Sequence, residues 1–102
     1  MPAVITRFAP SPTGNLHIGG LRTALINYIY YKNNKLNFKD SKFYLRLEDT
    51  DIKRSKKEYE KSIISGLEWI GLNWDGPIIR QLDNTNKHID IAYTLLEKKG
   101  AF

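Results

Sequence analysis

Fourteen consecutive residues, RFAPSPTGNLHIGG from Arg7 to Gly20, narrow the folds open to this chain more than any other stretch. Before them, Ala3, Val4 and Ile5 make an apolar run suited to a buried strand. After them, Leu21, Ala24, Leu25, Tyr28 and Ile29 recur at helical spacing. Strand, loop and helix in that order set a helix N-terminus, with its unpaired amides and positive dipole end, at the carboxyl end of a strand. Pro10 and Pro12 fix φ and stiffen the loop, while Gly14 admits backbone angles that other residues resist. Gly19 and Gly20 sharpen the reading, because each glycine inside a helix costs about 0.5–1 kcal/mol relative to alanine. A phosphate or flat base lying against bare backbone would compensate; so would a tight strand-to-helix turn beside a solvated histidine, and the glycines alone leave both open. His17, at the mouth, is placed to donate a hydrogen bond to a phosphate oxygen.

The first helix is expected from Leu16 or His17 to Asn33, with its apolar stripe on a sheet. A polar connection follows, KNNKLNFKDSK over 32–42, with room for an irregular excursion or a short hairpin and no readable function. Phe43, Tyr44, Leu45 and Leu47 then make a second strand, which a right-handed βαβ connection places parallel to the first. Ligands of open α/β sheets sit beyond the carboxyl ends of the strands, where Arg7 and the run from Glu48 to Asp51 both fall. A guanidinium there suits a ligand carboxylate and a carboxylate suits an ammonium. An internal ion pair of Arg7 with Glu48 or Asp49 would use the same residues, and their types alone do not choose between the two.

Ser55-Lys56-Lys57-Glu58 reads as a capping box, opening a helix near Lys56 that buries Tyr59, Ile63, Ile64, Leu67 and Ile70 and stops at Gly71. Trp69 and Trp74 are expected as packing residues. A third helix is expected from Thr85 to Lys99, burying Ile89, Ala92, Tyr93 and Leu96, with His88 on the surface and Gly100 as the terminating glycine. Ala101-Phe102 reads as the start of a further strand.

With 102 residues, 41% hydrophobic and 26% charged, the chain has globular composition for at most one domain. It holds no cysteine, which excludes a disulfide or a zinc-thiolate site within this stretch. The net charge of +5 favours an anionic partner. Lys53, Arg54, Lys56, Lys57 and Lys61 suit an RNA backbone, although the interleaved Glu58 and Glu60 suit a solvated helix face equally. Nothing resembling a signal peptide follows Met1 and no apolar run nears membrane-spanning length, so the expected location is cytoplasmic, with no membrane partner.

The string LHIGG resembles the HIGH-type motif of class I aminoacyl-tRNA synthetases, and APSPTG before it, with RLEDTD after it, resembles their glutamate-specific branch. The glutamine-specific branch tends to carry PPEPNG, so Ala9, Ser11 and Thr13 argue against it. Gly20 stands where the parent motif has its second histidine, leaving His17 as the only motif histidine. The resemblance implies an α/β fold: a partial, truncated Rossmann-like nucleotide-binding fold of parallel strands with flanking helices. It implies ATP-dependent activation of L-glutamate and transfer to tRNA(Glu), with Mg2+ accompanying ATP and no metal ligand in this stretch. It assigns His17 to catalysis, and His17, Gly19 and Gly20 to ATP. It assigns Arg7, Ala9, Ser11 and Glu48 to glutamate, with Arg7 on the side-chain carboxylate, Ser11 on the main-chain end and Glu48 on the ammonium. Arg80-Gln81 resembles an RQS segment of the family, but Leu82 replaces its serine, so the capping role is expected to pass to Asp83 or Asn84.

On this reading residues 1–102 are the N-terminal part of a catalytic domain whose remaining catalytic, acceptor-stem and anticodon-binding regions lie outside the chain. The parent is expected to be a monomer, and the piece alone to be inactive. Two other readings stay open. One is the shorter glutamyl-Q tRNA(Asp) synthetase paralogue, against which Thr50 argues. The other is a non-catalytic nucleotide-binding or self-associating module.

Overall fold

A computed structural model describes residues 3–100. The elements in order are β1 (Ile5–Phe8), α1 (Ile18–Lys35), β2 (Lys42–Leu47), α2 (Lys57–Trp69), β3 (Ile79–Arg80) and α3 (Thr85–Glu97), with a 3-10 turn over Gln81–Asn84 leading into α3. Alternation in KFYLRL turns Phe43, Leu45 and Leu47 to one face, where all three are fully buried. β2 is the central strand of a parallel sheet ordered β1-β2-β3, with Ile5 opposite Lys42, Phe8 opposite Leu45 and Arg46 opposite Ile79. The expected parallel α/β arrangement is therefore present. β3 was not foreseen, since its two residues are too few for a periodic signal.

The core lies on the α1 and α2 side of the sheet. Phe8, Ala24, Tyr31, Ile63, Leu67 and Leu72 close over the β2 residues, and the Tyr28 ring meets Phe43 edge-on at 5.4 Å. Burying a side chain of this size contributes about 1.5–3 kcal/mol. α1 covers the sheet with Ala24 and Tyr31, while Leu25 and Ile29, expected on the same stripe, are 41% and 56% exposed. The narrow sheet reaches only one flank of that helix. α1 runs to Lys35, two residues beyond the expected end, and Asn34 O accepts from Asn37 N and Phe38 N, so 32–42 makes a tight turn and no hairpin.

α2 begins at Lys57 without the expected capping box: Lys56 takes the N-cap position, one residue too late for Ser55, whose hydroxyl is buried without a hydrogen-bond partner. The helix buries Ile63 and Leu67 as expected, and Gly71, at φ +80, turns the chain out of it. Trp74 packs on the core, but Trp69 is 86% exposed, contrary to expectation. Beyond Trp74, Asp75 imitates a strand: its carboxylate accepts from Phe43 N at 2.8 Å and its amide donates to Phe43 O at 2.7 Å.

α3 departs most from expectation. Ile89, Ala92, Tyr93 and Leu96 are all exposed, because no second layer lies over that helix among the described residues. Neither Asp83 nor Asn84 caps the turn before it. Asp49 Oδ1, 33 positions earlier, accepts from Leu82 N at 2.8 Å. The left-handed residue after α3 is Lys99, at φ 57, and Gly100 N donates to Leu95 O. The strand expected at Ala101-Phe102 lies outside the described residues. No helix among the described residues is long and apolar enough to cross a membrane.

Candidate functional site

The loop after β1 is tied down at two points. Pro10 O accepts from Glu48 N at 2.9 Å, at the end of β2, and Pro12 O accepts from Lys56 N at 3.1 Å, at the start of α2. Pro12 itself is buried, and Thr13 N donates to Ser11 O at 2.9 Å. Two fixed φ angles and these bonds hold the loop rigid where it meets α1.

His17 is the N-cap of α1. Its Nδ1 accepts from Gly19 N at 3.1 Å and from Gly20 N at 3.4 Å. An accepting Nδ1 carries no proton, so the neutral ring holds its proton on Nε2 and presents a donor there. The amides expected to be unpaired for phosphate are therefore engaged by the imidazole, and the ring is what faces a ligand. A Cβ at Gly19 would lie 3.0 Å from His17 Cε1 and 3.1 Å from Nδ1, so the bare residue is first of all what admits the cap. His17, Gly19, Gly20, Ser11, Thr13 and Gly14 line an open cleft of about 470 Å³ floored by Phe8, Leu16 and Ile63.

The glutamate candidates divide. Ser11 shares the His17 cleft, and Glu48 is joined to the same loop through its amide. Arg7 and Ala9 line a groove at the outer edge of β1 with Thr6, Phe8, Thr23 and Asn27. Arg7 also lies beside Tyr44, Arg46, Ile79, Asn84 and His88, in a groove of about 410 Å³. An Arg7 pair with Glu48 or Asp49 does not form among the described residues. Glu48 Oε1 instead bonds Arg46 at 2.6 Å, with both side chains about one-third exposed. That leaves the Arg7 guanidinium uncommitted and Glu48 Oε2 unused by this pair.

Sequence reasoning passed over Arg46 and the bond from Leu82 N to Asp49. Alternation along β2 was the available signal for Arg46, since it sets this side chain on the face opposite Leu45. Asp51 is a local clasp. Arg54 Nε and N donate to its carboxylate at 2.6 and 3.2 Å, and these bonds hold its pKa below the ordinary 3.8. Arg80 pairs with Glu60 of α2 at 3.2 Å and so serves the fold. Among the described residues, no three His, Asp or Glu side chains gather as a metal site.

A helix capped by its own histidine, opening from a rigid loop at the carboxyl ends of parallel strands, fits a nucleotide-binding α/β fold. The family described as tRNA synthetases class I (E and Q), catalytic domain, matches residues 3–102, and the chain belongs to it. Among curated relatives, it is 51% identical over 102 residues to glutamate--tRNA ligase 2 of Rickettsia prowazekii (strain Madrid E) and 50% identical to that of Wolbachia sp. subsp. Brugia malayi (strain TRS). All of this chain is covered in both cases, but it spans only 21% of each relative's length. Glutamate-tRNA synthetase from Elizabethkingia anophelis superposes with a TM-score of 0.82 at 40% identity, covering 93% of this chain and 20% of that one. A glutamate tRNA ligase from Elizabethkingia meningosepticum, solved in complex with its amino acid, gives a TM-score of 0.81 at 40% identity, covering 92% of this chain and 19% of that one.

Proposed function

We propose that this chain is the nucleotide- and glutamate-binding start of a glutamate--tRNA ligase, and that residues 1–102 act as part of a longer catalytic domain. The observation that carries the reading is the His17 cap, which gives the imidazole a defined tautomer with its donor at the cleft mouth.

In the first step the glutamate α-carboxylate oxygen attacks the ATP α-phosphorus, an O–P bond forms and pyrophosphate leaves. In the second, a terminal ribose hydroxyl of tRNA(Glu) attacks the acyl carbon and AMP leaves. The chemistry needs positioning and stabilisation of developing oxygen charge, with no protein nucleophile. His17 donates from Nε2 to a phosphate oxygen as charge builds there, and Gly19 and Gly20 line the ATP side of the same cleft, holding the ring with their amides. Arg7 binds the substrate side-chain carboxylate as a bidentate partner. Glu48 takes the ammonium through Oε2, and Ser11 and Ala9 shape the main-chain end. Mg2+ accompanying ATP would supply further charge neutralisation, with no ligand expected from this stretch. Such an enzyme works in the cytoplasm, as a monomer. The chain alone is inactive, a reading supported by its uncovered α3 and its thin sheet.

The test is glutamate-dependent exchange of pyrophosphate into ATP, on this chain and on the full-length enzyme carrying it, with and without tRNA(Glu). Exchange in the full-length enzyme that requires tRNA, with none from the chain alone, is the expected result. Exchange without tRNA would move the assignment to the shorter glutamyl-Q tRNA(Asp) paralogue, and none under any condition would overturn it.

A further inference from the structure

Period two along β2 puts Tyr44 and Arg46 on the sheet face away from the core, and the register of Arg7 with Tyr44 brings Arg7 to that face too. Glu48 follows Arg46 by two positions. Both backbones are pinned, Arg46 in the ladder opposite Ile79 and Glu48 by the bond from its amide to Pro10 O. The two side chains meet at one point, Arg46 Nη2 donating to Glu48 Oε1 at 2.6 Å. A guanidinium offers Nε and Nη2 side by side, a fork that can take both oxygens of a carboxylate. Here the fork is half used: Arg46 Nε is buried with no hydrogen-bond partner among the described residues. A full fork would consume Oε2 as well. Both side chains are about one-third exposed, and such pairs add little to stability.

We infer that Arg46 is a positioning residue for the substrate ammonium, holding Glu48 by Oε1 so that Oε2 stays free for the amino group. The inference rests on the proposed role of Glu48. A partly exposed glutamate side chain would otherwise lose its rotamer freedom only on binding, at a cost to affinity. Arg46 has that carboxylate fixed beforehand. Contact at a single point has a further consequence: another cation of similar reach can stand in for the guanidinium, which a two-point fork would forbid. The effect falls on the ammonium alone. Glutarate, a dicarboxylate of the same length without the amino group, has nothing for Oε2 to receive. An arginine acting only as positive charge would instead cost dianionic glutarate at least as much as glutamate.

The experiment titrates glutamate and glutarate into the full-length enzyme carrying this chain by ligand-observed NMR, which needs no turnover. Arg46→Met keeps the stem and removes the guanidinium. It is expected to raise the Kd for glutamate about ten- to a hundredfold, the range for hydrogen bonds to charged groups, and that for glutarate by no more than about threefold. Arg46→Lys is expected to stay within about threefold of wild type for both ligands, because one donor suffices. In a Glu48→Gln background the added Arg46→Met is expected to cost glutamate nothing further. Arg54→Met, which breaks the exposed pair with Asp51, is the control and is expected to move neither ligand. Glutarate weakened as much as glutamate, Arg46→Lys as poor as Arg46→Met, or an Arg46→Met that does not fold would each overturn the inference. A loss from Glu48→Gln with none from Arg46→Met defeats the inference alone, whereas no loss from Glu48→Gln defeats the proposed role of Glu48 itself.

Discussion

Helices α2 and α3 are each 13 residues long and each carry an apolar stripe, yet α2 buries Ile63 and Leu67 while α3 buries nothing. The difference teaches that amphipathicity announces a face to be covered and says nothing of what covers it. The side of the sheet under α1 and α2 holds the chain together. The other side carries Arg7, Tyr44 and Arg46 along a groove beside a half-attached helix.

Several substitutions would break that contrast or sharpen it. Leu67→Ala should cost about 2–5 kcal/mol in urea unfolding, as for other buried leucines. Leu96→Ala, on α3, should stay within about 0.5 kcal/mol. Equal losses would mean that α3 is covered in solution, and repeating the unfolding at a second protein concentration would show whether another copy does it. Next in size, Arg7→Ala should weaken glutamate binding by about 1.5–3 kcal/mol, the range for hydrogen bonds to charged groups, with the melting temperature unmoved. A fall in melting temperature would place Arg7 in the fold instead. Asp49→Ala should cost about 1 kcal/mol through loss of a cap, with faster hydrogen exchange at the Leu82 amide, whereas Asp83→Ala should leave that amide as it is. The smallest effect concerns pH. The carboxyl of Asp51 is held below its ordinary 3.8 by Arg54, so its contribution is present above that value and is lost as pH falls through the depressed one. Acid titration of Arg54→Ala should show the Asp51 carboxyl shift moving at higher pH than in wild type, and an unmoved midpoint would dissolve the clasp.

What the sequence made legible follows the same division. β2 and α2 were readable because period two in KFYLRL and helical spacing in α2 are both satisfied by contacts inside the chain. Ser55 failed as a cap by one position, a margin that local pattern does not resolve. Asp49 was unreadable as the partner of Leu82 because the bond spans 33 positions and belongs to the tertiary fold. At the site, the residue identities came from the motif, but the Nδ1 bonds of His17 depend on its extended backbone, φ -116 and ψ 172, which places the ring over the turn it precedes. The unpaired-amide reading was wrong for that reason. The burial expected of Ile89, Tyr93 and Leu96 failed because nothing among the described residues supplies the opposing surface.

Asp75 bears on how this sheet meets other polypeptides. β3 is only two residues long and pairs with the last two residues of β2, which would leave the first half of that strand bare on the same side. By taking both the amide and the carbonyl of Phe43, Asp75 occupies the place an invading strand would need. The free edges of the sheet among the described residues are then the outer side of the four-residue β1 and the outer side of the two-residue β3. An aspartate in a turn thus closes the part of the β2 edge that the short β3 leaves uncovered.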